Sequence, residues 1–341
     1  MRILLGMSGG LDSTYAARLL LDAGHTVEGA VLIMHEHTDL ASARESAEAL
    51  GILLHEIDCR DIFREIVMKD FVSEYLAART PNPCIICNSE VKFKGLYDYA
   101  VKNGFDKIAT GHYARVVFDD GRYAIARSAD PAKDQTYMLW RLPQQILSRL
   151  VFPLGELTKT AVRAKAKQES LVAADREESQ EICFIPSGDY ATFIEERCGV
   201  CPKGDFVDAN GNVLGRHNGI IRYTVGQRKG LGIALGARAF VTDIDPQTNR
   251  ITLSYEAKNT RSLTVGSLVF SGIEPLAVGE SRELYVKLRY LAPPVKATLT
   301  VNENGMAGVV LDTPVKSVTP GQSAVFYDGE RLALGGVIYS N

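Results

Sequence analysis

The stretch GMSGGLDST at residues 6–14 combines glycines, hydroxyls and one carboxylate between an apolar run and an Ala- and Leu-rich segment. Gly9 and Gly10 allow close backbone approach and positive φ, and Ser8 and Ser13 supply hydroxyls. The N–H groups of a helix that follows such a loop point toward a bound anion. The stretch has no lysine and fits neither the G-x-x-x-x-G-K-[ST] of a P-loop nor the G-x-G-x-x-G of a dinucleotide site. It therefore predicts a cradle for pyrophosphate, and the alternative is a tight turn that only caps a helix.

Asp12 adds a carboxylate to this loop. Bound phosphates would repel it unless a divalent cation bridged the two, so its presence predicts Mg²⁺ at the site. The full string S-G-G-x-D-S after a first strand resembles the PP-loop of the ATP pyrophosphatases, which cleave ATP between the α- and β-phosphates and transfer AMP. GMP, argininosuccinate and NAD synthetases and tRNA-modifying enzymes share that loop. The loop alone therefore does not select the substrate.

A second cluster of chemically active residues lies at positions 79–96, where Cys84 and Cys87 form a C-x-x-C after two prolines. The pattern places Cys87 just before a helix N-terminus, where a thiolate is favoured. Six cysteines in 341 residues are too few for a disulfide scaffold, which favours metal, redox or nucleophilic roles. A four-cysteine zinc site shared with Cys198 and Cys201 is the alternative.

The PP-loop is one of seven motifs that occur together in a fixed order. The other six are TPNPxxxCNxxxKF (80–93), TGHYAR (110–115), KDQTYML (133–139), ICFI (182–185), TVGQRKGLG (224–232) and VTPGQSAVFYDGERLALGG (318–336). With these seven motifs, the chain resembles the bacterial tRNA-specific 2-thiouridylase (MnmA/TrmU) family over essentially its whole length.

The resemblance implies ATP-dependent 2-thiolation of the wobble uridine in the tRNAs for Lys, Glu and Gln. The uridine C2 oxygen is a poor leaving group, so it must first be adenylated before a sulfur nucleophile can expel AMP. In the family, the cysteine matching Cys183 carries sulfur as a persulfide, and the cysteine matching Cys87 is the catalytic one that ends in a disulfide with it. The expected partner is a cysteine desulfurase or a sulfur-carrier protein. From the residues alone, Cys183 in its apolar setting suits a buried small hydrophobe.

The resemblance also implies binding residues. The positions implied for ATP are Gly6, Met7, Ser8, Gly9, Gly10, Leu11, Asp12, Ser13, Leu32 and Gly111. Those implied for the target base are Asn82, Pro83 and Cys84, and those for tRNA are His112, Lys133, Asp134, Gln135, Arg289, Tyr290 and Gln322. The net charge of −3 gives no general affinity for RNA, so a local patch is needed. The stretch 215–230 has no acid and provides one, with Arg216, Arg222, Arg228 and Lys229.

Cys84 departs from the family pattern, in which many members carry aspartate at this position. The resemblance brings Cys84, Cys87 and Cys183 together around the target base, and three thiolates can hold an iron-sulfur cluster with one iron open. A cluster on these residues is thus an alternative to the persulfide relay. Two further alternatives are an AMP-forming ligase acting on a small metabolite and a non-catalytic iron-sulfur or zinc RNA-binding protein.

The elements that must position these residues change type along the chain. Short β-rich runs alternate with helical patterns to about residue 190, which predicts a doubly wound parallel sheet, and turn-punctuated strands follow. We predict an α/β plus β fold: a PP-loop, adenine nucleotide α-hydrolase-like domain (1–197), a small central β-containing domain (198–264) and a C-terminal, tRNA-contacting β-barrel (265–341). The chain is 46% hydrophobic and 23% charged, with no apolar run of about 18 residues, so no membrane partner and a cytoplasmic location are expected.

Overall fold

A parallel sheet forms the centre of the N-terminal region in the computed structural model, which describes residues 1–176 and 182–340. The strands of this region are β1 (Arg2–Gly6), β2 (Thr26–Ile33), β3 (Leu54–Asp58), β4 (Lys107–Thr110), β5 (Arg115–Asp119), β6 (Arg122–Ala126) and β7 (Leu150–Val151). Five of them form a sheet of order β3-β2-β1-β4-β7 in which all pairs are parallel. The strand order reverses between β1 and β4, and ligands of open α/β sheets bind at the carboxyl ends of such strands.

Helices flank this sheet, and two of them contain π-helical turns. The α-helices are α1 (Leu11–Asp22), α2 (Leu40–Leu50), α3 (Arg60–Ile62), α4 (Lys69–Leu76), α5 (Pro83–Ile86), α6 (Lys94–Lys102), α7 (Gln144–Leu147), α8 (Lys159–Gln168) and α9 (Tyr190–Cys198). The π-helical segment Phe63–Met68 joins α3 to α4, and Cys87–Phe93 joins α5 to α6. Short 3₁₀ turns occur at Thr136–Met138 and Ile220–Arg222. Because π-helical turns often occur at functional sites, the segment from Cys87 is of particular interest.

The central region is a small sheet of its own. Its strands are β8 (Gly204–Val207), β9 (Val213–His217), β10 (Phe240–Asp245) and β11 (Arg250–Ser254). They pair in the order β10-β11-β8-β9 over a core that includes the fully buried Phe206 and Ile251.

The C-terminal region is a closed barrel. Its strands are β12 (Asn259–Val269), β13 (Ser281–Lys287), β14 (Val295–Val301), β15 (Ala307–Lys316), β16 (Ser323–Asp328) and β17 (Arg331–Ser340). They follow the order β12-β15-β14-β13-β16-β17, and β12 pairs again with β17 to close the ring. The predicted fold class is confirmed. The predicted start of the barrel at residue 265 lies inside β12, which already pairs with β15 at Asn259.

The strands β5 and β6 of the N-terminal region join the sheet of the barrel and not the parallel sheet. The stretch 107–126 lies within the region predicted as a doubly wound parallel sheet, but only β4 joins that sheet, while β5 and β6 form an antiparallel hairpin. Asp120 and Gly121 both have positive φ (51° and 75°), as the two-residue hairpin turns with right-handed strand twist require. The hairpin joins the barrel sheet where Ala126 pairs with Arg331.

A shared core fixes the barrel to the N-terminal region. The fully buried Trp140 donates from Nε1 to the Ser323 hydroxyl at 3.0 Å, and the Tyr137 hydroxyl donates to the Ser323 carbonyl at 2.9 Å. Tyr327 and Leu332 pack into the same cluster. A single site can therefore draw residues from both regions. Across the described residues, no helix combines the length and apolar character needed to cross a bilayer.

Candidate active site

The PP-loop is built as the sequence predicted, between β1 and α1. Gly9 has φ +77°, and a Cβ there would lie 2.3 Å from the carbonyl carbon of Ser42, so only glycine fits. Gly10 caps α1 without a side chain, which leaves the first-turn N–H groups facing outward. The Ser13 hydroxyl donates to the Gly10 carbonyl at 3.1 Å and accepts from the Ser8 N–H at 3.2 Å. The loop is thereby held in the conformation that an anion requires.

Arg176 holds this loop from behind, a role that sequence reasoning missed. Its guanidinium donates to the Gly9 carbonyl, to the Ser42 carbonyl at 3.2 Å and to the Ser46 hydroxyl at 3.0 Å. It also pairs with Glu45. Arg176 thus fixes the loop to α2.

Asp12 meets a protein cation. Lys159 Nζ lies 2.8 Å from each oxygen of the Asp12 carboxylate, and the Tyr113 hydroxyl donates to one of them at 2.9 Å. The Lys159 side chain is only 9% exposed. The Lys159 ammonium balances the negative charge of Asp12, which was the reason for expecting Mg²⁺. The magnesium site stays a prediction. Sequence reasoning missed both contacts because Lys159 lies 147 positions and Tyr113 lies 101 positions from Asp12, and no local pattern links them.

A cavity of about 500 Å³ opens at the carboxyl ends of β1 and β4. Gly111, after β4, packs so closely on α1 that a Cβ there would lie 2.8 Å from the Asp12 carbonyl carbon and the Ser13 nitrogen. Seven of the predicted ATP residues line the cavity: Gly6, Met7, Ser8, Asp12, Ser13, Leu32 and Gly111. The other three, Gly9, Gly10 and Leu11, complete the loop. The same cavity wall includes Lys92, His112, Gln135 and Cys183.

The predicted catalytic cysteines differ in exposure. Cys183 is exposed and lines the cavity, while Cys87 is 4% exposed and donates from Sγ to the Met34 sulfur at 3.6 Å. Met34 itself lines the cavity, so Cys87 lies one side chain behind its wall. Cys84 is exposed and lies outside the cavity lining. The cavity therefore brings Cys183 to the PP-loop, with Cys87 directly behind.

The environment of Cys87 differs from the sequence-based expectation. The helix begins at Pro83, so Cys87 opens the π-helical segment one turn later and has no place at the N-terminus. Burial raises the pKa of the Cys87 thiol to about 12, and the charge of Lys92 opposes this rise. Cys183 is exposed to the cavity, but the surrounding protein still reduces its hydration, which raises its pKa, and Lys92 again opposes the rise. Burial therefore favours the protonated thiols, and the group that opposes it is the cation Lys92 and not a helix N-terminus.

Lys92 is a cavity residue that sequence reasoning overlooked, although it lies within the TPNPxxxCNxxxKF motif. Burial acts to lower its pKa, but the neighbouring Cys87, Cys84 and Cys183 raise the pKa above its ordinary value. Burial and the charge of Lys92 together lower the pKa of His112 to about 3. His112 is therefore neutral at physiological pH, and the Thr110 hydroxyl lies 2.8 Å from its Nδ1. Among the residues described, no group of three or more His, Cys, Asp or Glu side chains is arranged to hold a metal ion.

The predicted target-base segment contacts the barrel. Gln322 donates from Nε2 to the Thr80 carbonyl at 2.8 Å, which ties the barrel to the start of the TPNP motif. Asn82 lies with Nδ2 3.3 Å from the Met138 sulfur, and Pro83 is buried as the first residue of α5. These contacts order the approach to Cys84, which follows directly.

The predicted tRNA residues from 133 to 135 have different surroundings. Asp134 is 8% exposed and accepts from the Thr136 hydroxyl at 2.8 Å, so it orders its own loop. Gln135 lines the cavity and accepts from the Tyr113 N–H at 2.8 Å. Lys133 lies near Tyr290, where its charge opposes the rise in the Tyr290 pKa that burial causes.

The basic residues of the central and barrel regions are only partly available to RNA. Arg289 donates to the Thr319 hydroxyl at 2.6 Å and to the Ser317 carbonyl, so its guanidinium braces the barrel. In the 215–230 stretch, the ion pairs are Arg222 with Glu195 at 2.5 Å and Arg216 with Asp205 at 3.8 Å. The remaining two cations of that stretch, Arg228 and Lys229, are exposed.

Comparison with known proteins identifies three family domains in this order. Residues 1–187 match the tRNA methyl transferase HUP domain, 191–255 the tRNA methyl transferase PRC-barrel domain and 260–338 the aminomethyltransferase beta-barrel domain. The chain is 44% identical to tRNA-specific 2-thiouridylase MnmA of Acetivibrio thermocellus over 99% of both chains. It is 43% identical to the protein of that name from Carboxydothermus hydrogenoformans, over 99% of this chain and 97% of the relative. A solved 4-thiouridine synthetase in complex with RNA and ATP is 15% identical, covering 57% of this chain and 50% of its own, with a TM-score of 0.37.

Proposed function

This chain belongs to the tRNA-specific 2-thiouridylase MnmA family, and from that premise we propose that it thiolates C2 of the wobble uridine in tRNAs for Lys, Glu and Gln. The observation that carries the proposal is that residues of the PP-loop and Cys183 line the same cavity. An ATP-activated base held in this cavity would meet the sulfur carrier without leaving the site.

Adenylation is the first step. The uridine O2 attacks the α-phosphate of ATP, a P–O bond forms, and pyrophosphate leaves. The outward N–H groups at the start of α1 stabilise the charge on the leaving pyrophosphate. Gly111 allows the end of β4 to pack directly on this helix, and this packing would set the position of the nucleotide. Lys159 orients Asp12, and any Mg²⁺ would bind through the phosphates of ATP.

Sulfur transfer is the second step. The terminal sulfur of a Cys183 persulfide attacks C2, and AMP departs with the former O2. The Cys87 thiolate then attacks Sγ of Cys183, which breaks the S–S bond to the transferred sulfur and leaves 2-thiouridine and a Cys87–Cys183 disulfide. A thiol reductant returns two electrons to that disulfide, and a cysteine desulfurase or sulfur-carrier protein reloads Cys183.

The test of this function uses purified protein, labelled ATP and tRNA. We expect AMP release that depends on tRNA, together with 2-thiouridine in the product when a persulfide source is present. AMP release that depends on a small metabolite and not on tRNA would instead support the ligase, and absence of any AMP release would support a non-catalytic RNA-binding protein.

The persulfide relay and the iron-sulfur alternative make different predictions for Cys84. A relay needs one sulfur carrier and one resolving thiol, so Cys87→Ser and Cys183→Ser should each abolish thiolation while Cys84→Ser retains appreciable activity. Cys198→Ser, an exposed cysteine outside the cavity, serves as the control and should behave as the unsubstituted protein. If Cys84→Ser, Cys87→Ser and Cys183→Ser were equally inactive and the unsubstituted protein strictly required iron, the result would support a cluster on these three cysteines.

A further inference from the structure

Lys92 and Cys87 lie at the two ends of one π-helical turn. In an α-helix, residues five apart point about 140° away from each other. In a π-helix the hydrogen bonds join residues i and i+5, so residues five apart come close to the same side. Cys87–Phe93 is π-helical, and this register places Lys92 on the side of Cys87. The π-helical turn therefore directs Lys92 toward the thiols, whereas an α-helical turn would direct it away from Cys87.

The surroundings of Lys92 define which anion it faces. Among residues 1–176 and 182–340, no acid forms an ion pair with Lys92, while its neighbour Lys94 pairs with Asp98 at 2.7 Å on the helix exterior. The Asp12 carboxylate is taken by Lys159. The pyrophosphate end of the cavity has its own donors in the first turn of α1. Lys92 lines the same cavity as Cys183, and Cys87, Cys84 and Cys183 are the groups that raise its pKa.

We propose that the Lys92 ammonium is the positioning cation for sulfur transfer, holding the anionic persulfide sulfur of Cys183 against the activated base and then the Cys87 thiolate that resolves it. The inference rests on the proposed function. When the Cys183 persulfide attacks C2, its negative charge moves to the departing AMP. A new negative charge is then needed on Cys87, whose burial otherwise favours the protonated thiol. An ammonium whose charge acts on both sulfurs can serve both anions in turn.

Three variants of the full-length protein test this role. Lys92→Met removes the charge and keeps a long side chain, Lys92→Arg keeps the charge, and Lys94→Met removes an exposed cation two residues away. Each protein is assayed for tRNA-dependent pyrophosphate release, for single-turnover 2-thiouridine formation after persulfide loading, and for the rate of Cys183 alkylation by iodoacetamide at fixed pH, followed by mass spectrometry.

We expect Lys92→Met to slow 2-thiouridine formation about a hundredfold, as loss of a charge-stabilising group does in other enzymes, and to slow alkylation of Cys183. Pyrophosphate release should be unchanged, Lys92→Arg should recover part of the loss, and Lys94→Met should match the unsubstituted protein. Loss of pyrophosphate release in Lys92→Met would overturn the inference by assigning the lysine to the nucleotide, and so would unchanged alkylation. If the unsubstituted protein made no 2-thiouridine, the proposed function would fail, while the alkylation rates, which need neither ATP nor tRNA, would still test Lys92.

Discussion

Gly111→Ala should impair adenylation by displacing the PP-loop helix from β4. The added Cβ would lie 2.8 Å from backbone atoms of Asp12 and Ser13, which cannot rotate away as a side chain can. To reach an ordinary contact of about 3.4 Å, the two elements must separate by about 0.6 Å. Since a 1 Å misplacement can reduce a rate about a hundredfold, a shift of this size should reduce adenylation about tenfold.

The measurement is the rate of tRNA-dependent pyrophosphate release, with tRNA affinity measured in parallel by filter binding. Gly308→Ala in the barrel is the matched control, because its Cβ would find the nearest atom, Asn302 Nδ2, at 3.9 Å. We expect the Gly111 variant to bind tRNA normally and to release pyrophosphate slowly, while the control does both normally. A folded Gly111→Ala protein with an unchanged rate of pyrophosphate release would refute the argument that this contact sets the position of the nucleotide.

Three other substitutions probe the RNA surface and the junction between regions. Arg228→Ala should weaken tRNA binding and lower the salt slope of log K by about one, because its exposed guanidinium suits a single phosphate contact; an unchanged slope would exclude that contact. Arg289→Ala should lower the thermal midpoint as well as tRNA affinity, since Arg289 braces Thr319 and the Ser317 carbonyl, and a loss of affinity without a change in midpoint would contradict this role. Burial raises the pKa of Asp70 to about 6, so the folded protein is stabilised when this carboxyl is protonated and loses that stability as the pH rises through 6. Asp70→Asn, which is neutral at every pH, should therefore raise the thermal midpoint at pH 7.5 and leave it unchanged at pH 4. Equal midpoint shifts at both pH values would count against that titration.

The parts of the site that follow from short sequence stretches were predictable. The PP-loop, the strand before it and the helix after it are local, because the glycine conformations and the free N–H groups depend on consecutive residues. The fold class followed from the alternation of strand and helix patterns for the same reason. One helix within this alternating region is α8, Lys159–Gln168.

The long-range and register-dependent parts were not predictable. The pairing of Asp12 with Lys159 joins residues 147 positions apart, and either residue alone fits a solvated surface. Asp134 matched a tRNA-contacting position, yet its carboxylate is buried against Thr136. The position of Lys92 depends on a π-helical register that helical periodicity does not reveal, because that periodicity assumes 3.6 residues per turn.

The shared core around Trp140 has a consequence for the order in which the chain acquires its structure during synthesis. Ser323, which accepts the Trp140 indole hydrogen bond, leaves the ribosome 183 residues after Trp140, a delay of about 10 to 40 s at ordinary elongation rates. Throughout that interval the nascent chain lacks Val325, Tyr327 and Leu332, the barrel residues of the core that contains Trp140 and Tyr137, so we expect the two aromatic rings to be incompletely covered. We expect ribosome-bound chains that stop before β16 to recruit chaperones through this aromatic surface, and chains that include β17 to release them.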